Sequence, residues 1–520
     1  MLRKNIKLIS LFTLTAGLIG LSASNTVWAH HPAGTGGKLV YRMGTDIGSF
    51  NSIRTPVNNN TRNSPLAAMH DNLFDRDADT NEFIPQAALS AEPSKNYKRW
   101  RIKLRKGMKF SNDIEVTSQA YKAHFDRFLS SKVAGRFRRI MGPAMDRVEV
   151  VDKYTFDFHF RQASPGFKSI LTMPIITWYV QEPGWVAANH KKRSFGRTSI
   201  GQGPYMLKSW KPGDKITLVR NPNYWNPKAQ HLDEIVYQII PNRTNAYNAL
   251  KAGQTDVMLV PTTERDRAEA PNTTVLDGVS NIAPRGIGFN SSVEPFNDIR
   301  VRRALIQAID RKGVTMIGTR IETGVPTQMY PSDHPWFCKG VKMPWPEYNP
   351  EKAKKLLAEY GKPVKFALNI ISIKTISLVA QSLQAQWKAV GVDASIKIGP
   401  RGPSYNRGIT SGKYDIWWTN FGNNVDPSVV AINFHSKSKS NFYKVKDPAI
   451  DAALDKLQSA NGKAARLKGS CDYQKLLVKQ VRYYPFRNAV ISVGFSNRIG
   501  GMQKPMSNGF KAHRAWIKKK

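Results

Sequence analysis

Ten histidines, two cysteines and 38 acidic residues are what this 520-residue chain offers for catalysis or metal binding. A nucleophile needs a base within hydrogen-bond reach, and a structural metal needs ligands at short, repeated spacings. Neither pattern occurs: the chain has no G-x-S-x-G, no H-E-x-x-H and no cysteine–histidine arrangement in a recognisable context. His30-His31 is the one adjacent histidine pair. Placed at a new amino terminus, an amine and two imidazoles can hold copper or nickel loosely, but such pairs in tails more often bind nothing. Cys338 and Cys471 can join in an oxidising compartment, although sequence alone does not bring their Cα atoms into range. No catalytic residue, resident metal or cofactor is expected.

The first thirty residues set the compartment. Arg3, Lys4 and Lys7 precede an uncharged apolar run from Leu8 to Leu21, and Val27-Trp28-Ala29 places small residues at both critical positions before a cut. This is the layout of a cleaved secretory signal peptide over residues 1–29. The apolar run, roughly 14 residues, is short of the ~20 that span a bilayer. No cysteine lies at the cut to take a lipid, so a free periplasmic protein is expected. About 490 residues remain, enough for two or three domains. The formal charge is +40, or +37 without the three basic residues of the leader, with Lys and Arg scattered throughout. Export and the absence of zinc-finger, RNA-binding or basic-zipper spacing argue against nucleic acid, leaving a solvated basic surface.

The elements that position any site follow from periodicity. Lys38–Met43, Trp100–Leu104, Lys215–Val219 and Glu234–Ile240 read as strands, and Val148–Val151 with Thr155–Phe160 as a hairpin. Thr117 to Leu129 has helical spacing, with Tyr121, Phe125 and Phe128 on one face; another helix follows Asn242 and stops at Gly253. The second half alternates helices (Ile299–Ile309, Pro350–Tyr360, Ile376–Val390 and one near Tyr405–Thr410) with strands (Lys365–Ile371, Asp393–Ile398, Tyr414–Thr419). That alternation implies an α/β lobe with a largely parallel sheet. Arg300, Arg302 and Arg303 at a helix start read as solvated or partner-facing surface.

A series of motifs in fixed order resembles one family. They are Leu104-Arg105-Lys106-Gly107-Met108-Lys109-Phe110, then Gly201-Gln202-Gly203-Pro204-Tyr205, then Trp210-Lys211-Pro212-Gly213-Asp214. Asn221-Pro222-Asn223-Tyr224-Trp225 is the most specific, and Leu250-Lys251-Ala252-Gly253-Gln254-Thr255-Asp256 follows it. Pro295 to Leu305, Asn349-Pro350-Glu351-Lys352-Ala353 and Gln384 to Val392 complete the set. Together they resemble the extracellular solute-binding proteins of ABC importers, dipeptide/oligopeptide-binding (family 5) class. Asn112-Asp113 departs from the family's usual Asp-Gly, which touches only a turn type.

The resemblance implies a two-lobe periplasmic-binding-protein fold, α/β, with an extra subdomain in the first lobe and a hinge between lobes. Lobe I would comprise 38–71, 200–284 and 500–520; the extra subdomain, 72–199; lobe II, 285–499. A small-molecule or peptide ligand would bind between the lobes, and the loaded monomer would deliver it to an inner-membrane ABC permease. In peptide-binding members a carboxylate after a tryptophan-containing strand holds the ligand's α-amino group. Here Asn420 or Phe421 stands at that place, while Asp426-Pro427 matches the family's acidic-Pro element. An amide or phenyl ring cannot neutralise an ammonium, so either Asp426 or another carboxylate substitutes, or the ligand has no free amine. Lys374, Arg401 and Arg407 are candidates to pair with an anionic group. Trp417, Trp418, Phe421 and Tyr405 are candidates to line the cleft, with Thr419 and Asn420 at the strand end. Strand alternation sends the two tryptophans to opposite faces, so at least one is core. The alternatives are a receptor for a metal chelate, haem or an anionic sugar or opine (His435, near the expected cleft, is ambiguous), or a sensory protein without transport.

Overall fold

The computed structural model describes residues 36–53, 60–77, 82–131, 145–172, 179–279, 284–319, 325–332, 334–399, 403–420, 426–428, 433–438, 441–488, 490–502 and 511–518. The expected leader lies outside the described residues. Two large sheets organise the chain. The first has seven strands in the order Thr273–Val279, Val490–Ser496, Val257–Val260, Lys38–Met43, Glu234–Ile239, Lys215–Arg220, Tyr205–Lys211. Its central strand Lys38–Met43 runs parallel to both neighbours and buries Leu39, Tyr41 and Met43 completely, the alternation of a half-covered strand.

A four-stranded antiparallel sheet (Ala88–Pro93, Arg99–Leu104, Thr155–Phe160, Met145–Asp152) makes the extra subdomain. Helix Ser118–Ser130 covers it because Tyr121, Phe125 and Phe128 recur at helical spacing. Tyr121 stacks on Phe156 at 5.1 Å, and Phe125 meets Phe158 edge-on at 5.0 Å. The family-like motifs join this subdomain to the first sheet. Asn221 donates from Nδ2 to the Gly203 carbonyl (2.9 Å), and Trp225 donates from Nε1 to Asp71 (2.8 Å). A Cβ on Gly203 would sit 2.4 Å from the His70 nitrogen, so only glycine permits the approach.

Lobe II is built on a five-stranded sheet ordered Asp393–Gly399, Lys365–Ile371, Ile416–Asn420, Arg285–Phe289, Tyr483–Arg487. The first three are parallel, and Arg285–Phe289 is antiparallel to both of its neighbours. Helix Lys374–Lys388 seals one face, where Trp387 is fully buried and donates to the Leu305 carbonyl at 2.9 Å. A separate aromatic core on the other face lies under helices Pro448–Ser459 and Gly462–Lys479. Cys338 and Cys471 form a disulfide beside it, with Cα atoms 5.8 Å apart.

The chain crosses between lobes twice, from Val279 to Arg285 and back from Arg487 to Val490. The return corrects the expected limit of lobe II. Lobe II contributes its last strand at Arg487, and Val490–Ser496, expected inside 285–499, already pairs with Val257–Val260 and Thr273–Val279 of the first sheet. Arg302 is a second correction. It is buried, and donates to the carbonyls of Phe296 (2.6 Å), Gln480 (2.9 Å) and Val481 (3.1 Å), satisfying loop carbonyls that would otherwise be orphaned.

Candidate functional site

In an open parallel sheet, ligands are met at the carboxyl ends of the strands, where loops diverge. In lobe II that edge gathers the ends of Lys365–Ile371 and Ile416–Asn420, the start of Arg285–Phe289 and the end of Tyr483–Arg487. It also faces the crossings, so it is the edge turned toward lobe I. Lys374 opens the helix after the first of these strands and is exposed. Asn420 lies opposite Arg285, which in turn lies opposite Arg487. Arg487 is buried, sits over the Trp418 ring at 5.4 Å and donates to the Gly318 carbonyl. Burial, then the charge of Arg285, pushes its guanidinium down to about 9. Sequence reading missed both arginines because one begins and the other ends an ordinary-looking strand.

The aromatic candidates take inward positions. Trp417 packs against Tyr443 at 5.4 Å in one core, and Trp418 against Phe486 at 5.5 Å in the other. Both are buried, on opposite faces of their strand. Thr419 is buried beside the Tyr443 hydroxyl, 3.4 Å away. Tyr405 ties two strands together: its hydroxyl lies 2.8 Å from the Asn369 carbonyl and 3.0 Å from that of Trp418. Arg407 is exposed and donates to Ser404 at 3.3 Å. Phe421 and Arg401 lie outside the described residues.

Asp426 is drawn into a second cluster, where lobe II touches the extra subdomain. It is fully buried and 2.5 Å from an Arg466 nitrogen. It also accepts from the Ser428 main-chain N–H (3.0 Å) and hydroxyl (2.5 Å), and from Ser169 of the subdomain at 3.5 Å. Gly166 permits this contact, because a Cβ there would come within 2.6 Å of the Asp426 carboxylate. With its charge met by Arg466, Asp426 has no free valence for a ligand ammonium unless the pair opens. Nearby, the subdomain's Tyr97 hydroxyl donates to Asn461 at 2.8 Å.

Two further groups complete this cluster. Arg76, on the subdomain strand Phe74–Arg76, is buried; that burial, partly offset by the Asp426 charge, pushes its guanidinium down to about 10. His334 stacks on Tyr330 at 4.8 Å, and burial followed by the Arg76 charge pushes it down to about 3. His435, by contrast, sits apart near Asp455 (3.1 Å) and Asp451 (3.8 Å). The geometry is that of two lobes joined by a paired crossing, with polar groups of both turned toward their junction.

Residues 82–442 match the family described as bacterial extracellular solute-binding proteins, family 5 (middle). The chain belongs to that family. Among curated relatives, this solute-binding protein is 26% identical over 487 residues to heme-binding protein A of Haemophilus influenzae, covering 85% of this chain and 86% of that one. It is 26% identical over 302 residues to the glutathione-binding protein GsiB of Escherichia coli, a match spanning 57% of each chain. Among solved structures, HbpA2 from Haemophilus parasuis superposes with a TM-score of 0.80 at 20% identity, covering 93% of this chain and all of that one. The fold of this family-5 protein is therefore the two-lobe binding-protein fold.

Proposed function

We propose that this protein is a periplasmic receptor that captures a short peptide in the interlobe cleft and delivers it to an ABC-type permease. The observation that carries the reading is the paired crossing at Val279–Arg285 and Arg487–Val490, which joins two separately cored lobes as a hinge does. Membership of an extracellular solute-binding family supports the capture role. The leader-like N-terminus supports export, and no helix among the described residues is long and apolar enough to cross a membrane. The reading is of binding without chemistry, by a monomer; the chain carries no recognisable catalytic motif.

One observation favours a second reading in which the ligand lacks a free amine. Asn420 or Phe421 stands where the resemblance expects a carboxylate, and Asp426 is neutralised by Arg466. An opine, a chelate or a haem would suit such a site; the related proteins named for heme and for glutathione are not all of one ligand class. Native mass spectrometry of the purified protein tests both, since a tight ligand co-purifies and reports its mass. A thermal-shift panel of short peptides, opines, haem and nickel chelates follows, because a ligand that binds only the folded form raises the melting temperature. Shifts from non-peptides alone would sink the peptide reading. Uptake of the identified ligand, measured in cells with and without the gene, tests delivery.

A further inference from the structure

The junction of the extra subdomain and lobe II holds more hydrogen-bond donors than acceptors. Arg76 is 6% exposed, yet among the described residues its guanidinium donates no hydrogen bond, and its Nε is sealed from solvent. The counter-charge that acts on it is that of Asp426, whose oxygens already serve Arg466, Ser428 and Ser169. His334 is 3% exposed, and its Nδ1 accepts the Trp336 main-chain N–H at 3.2 Å. That bond fixes the neutral ring's proton on Nε2, which is buried without a partner among the described residues. Arg466, 8% exposed, leaves its Nε unpartnered among the described residues as well.

Two guanidiniums, one carboxylate and one neutral imidazole leave the cluster with a net positive charge and with unused donors on three of its side chains. Buried donors are almost always satisfied, and a buried guanidinium without an acceptor is strongly unfavourable. Each donor is also backed by an aromatic ring that fixes its direction. Arg76 lies over Phe83 (4.9 Å), Arg466 over Trp336 (5.2 Å), and His334 stacks on Tyr330. A preorganised set of donors lacking acceptors is the complement of an anion rich in oxygens.

We propose that Arg76, His334 and Arg466 form the subsite for an anionic group of the ligand, a carboxylate or a phosphate. The proposal rests on the receptor reading and narrows its ligand to one carrying such a group. The anion would be held by Arg76 from the subdomain and by His334 and Arg466 from lobe II. It would thereby favour the closed arrangement of the two bodies, which a ligand does only through contacts made better in that state.

The test compares full-length mature protein with Arg76→Met and Arg76→Lys, using calorimetric titration and thermal shift. Probes are trialanine, its C-terminal amide, citrate and inorganic phosphate. The expected result is that trialanine binds at least about tenfold more tightly than its amide. Arg76→Met should weaken trialanine, citrate or phosphate binding by about tenfold to hundredfold and leave amide binding unchanged. Its unliganded melting temperature should not fall, because an orphan buried charge has been removed; Arg76→Lys should retain part of the anion affinity. Displacement of trialanine by phosphate would place free anions at the same subsite, whereas its failure would restrict the subsite to carboxylates. Equal affinity for acid and amide, with no binding of citrate or phosphate, overturns the subsite while leaving the receptor reading standing. Arg76-dependent citrate binding without any peptide binding keeps the subsite and overturns the peptide reading.

Discussion

Arg466 and Asp426 approach to 2.5 Å at a point where both are buried, and the carboxylate also meets Ser169 across the junction with the extra subdomain. Breaking one side of such a pair leaves an unpaired charge in a poorly solvated place. Asp426→Ala is therefore expected to cost about 3–5 kcal/mol of stability. The double variant Asp426→Leu/Arg466→Met should recover most of it. Urea denaturation of the three proteins checks the claim; a single variant as stable as the parent would show that the pair is not buried in solution.

The disulfide between Cys338 and Cys471 closes a loop of 133 residues within lobe II. On chain-entropy grounds a cross-link of this span is worth about 4–5 kcal/mol. Cys338→Ser, or a reductant that opens the bond, should lower the denaturant midpoint of lobe II, read from tryptophan fluorescence. Equal midpoints with and without reductant would count against a structural role for the bond.

Local signals carried well from sequence to structure. Lys38–Met43 places Leu39, Tyr41 and Met43 on one buried face, and Pro350–Tyr360 is set by Asn349, whose side chain accepts the Lys352 N–H at 2.9 Å, and by Gly361 after it. Binary pattern and capping suffice for such elements, because neighbours in sequence decide them. The cluster at the lobe junction was not legible in this way. Arg76, His334 and Arg466 come from three distant segments, each of which reads as ordinary polar surface in a very basic chain. What singles them out is burial without acceptors, and burial exists only once tertiary packing has formed. Arg302 shows the same limit, since its inward turn answers carbonyls of Gln480 and Val481 that the helix start cannot reveal.

Tyr405 separates scaffold from ligand contact. Its hydroxyl bridges the carbonyls of Asn369 and Trp418, tying the strand Lys365–Ile371 to Ile416–Asn420. Tyr405→Phe removes the one O–H that those two carbonyls share, which should cost about 1–3 kcal/mol. Affinity for whichever solute the protein binds should stay within about twofold, since the hydroxyl is spent on the backbone. A large loss of affinity with little loss of stability, read by titration and urea denaturation together, would return Tyr405 to the binding surface.

Acid should destabilise the fold from about neutrality downward, for a reason that lies in three buried histidines. Burial pushes His70 down to about 4, with its ring nitrogens held at 3.1 Å from the Val180 carbonyl and 2.9 Å from Ser199. Burial likewise pushes His334 and His513 to about 3. Unfolded, all three protonate near the ordinary 6.5, so between there and about pH 4 the unfolded chain binds up to three more protons. Asp71 works the other way: burial raises it to about 6, so the folded state holds one extra proton between there and its ordinary 3.8. The net of about two protons gives a slope on the order of 2–3 kcal/mol per pH unit below about pH 6, so the stability is present in full only above about 6.5 and is lost as the pH falls. Urea midpoints at pH 7.5, 6 and 5 should drop in that order, and His70→Gln should flatten the drop. A midpoint that holds constant or rises toward pH 5 would mean that the imidazoles are not held neutral in the folded protein.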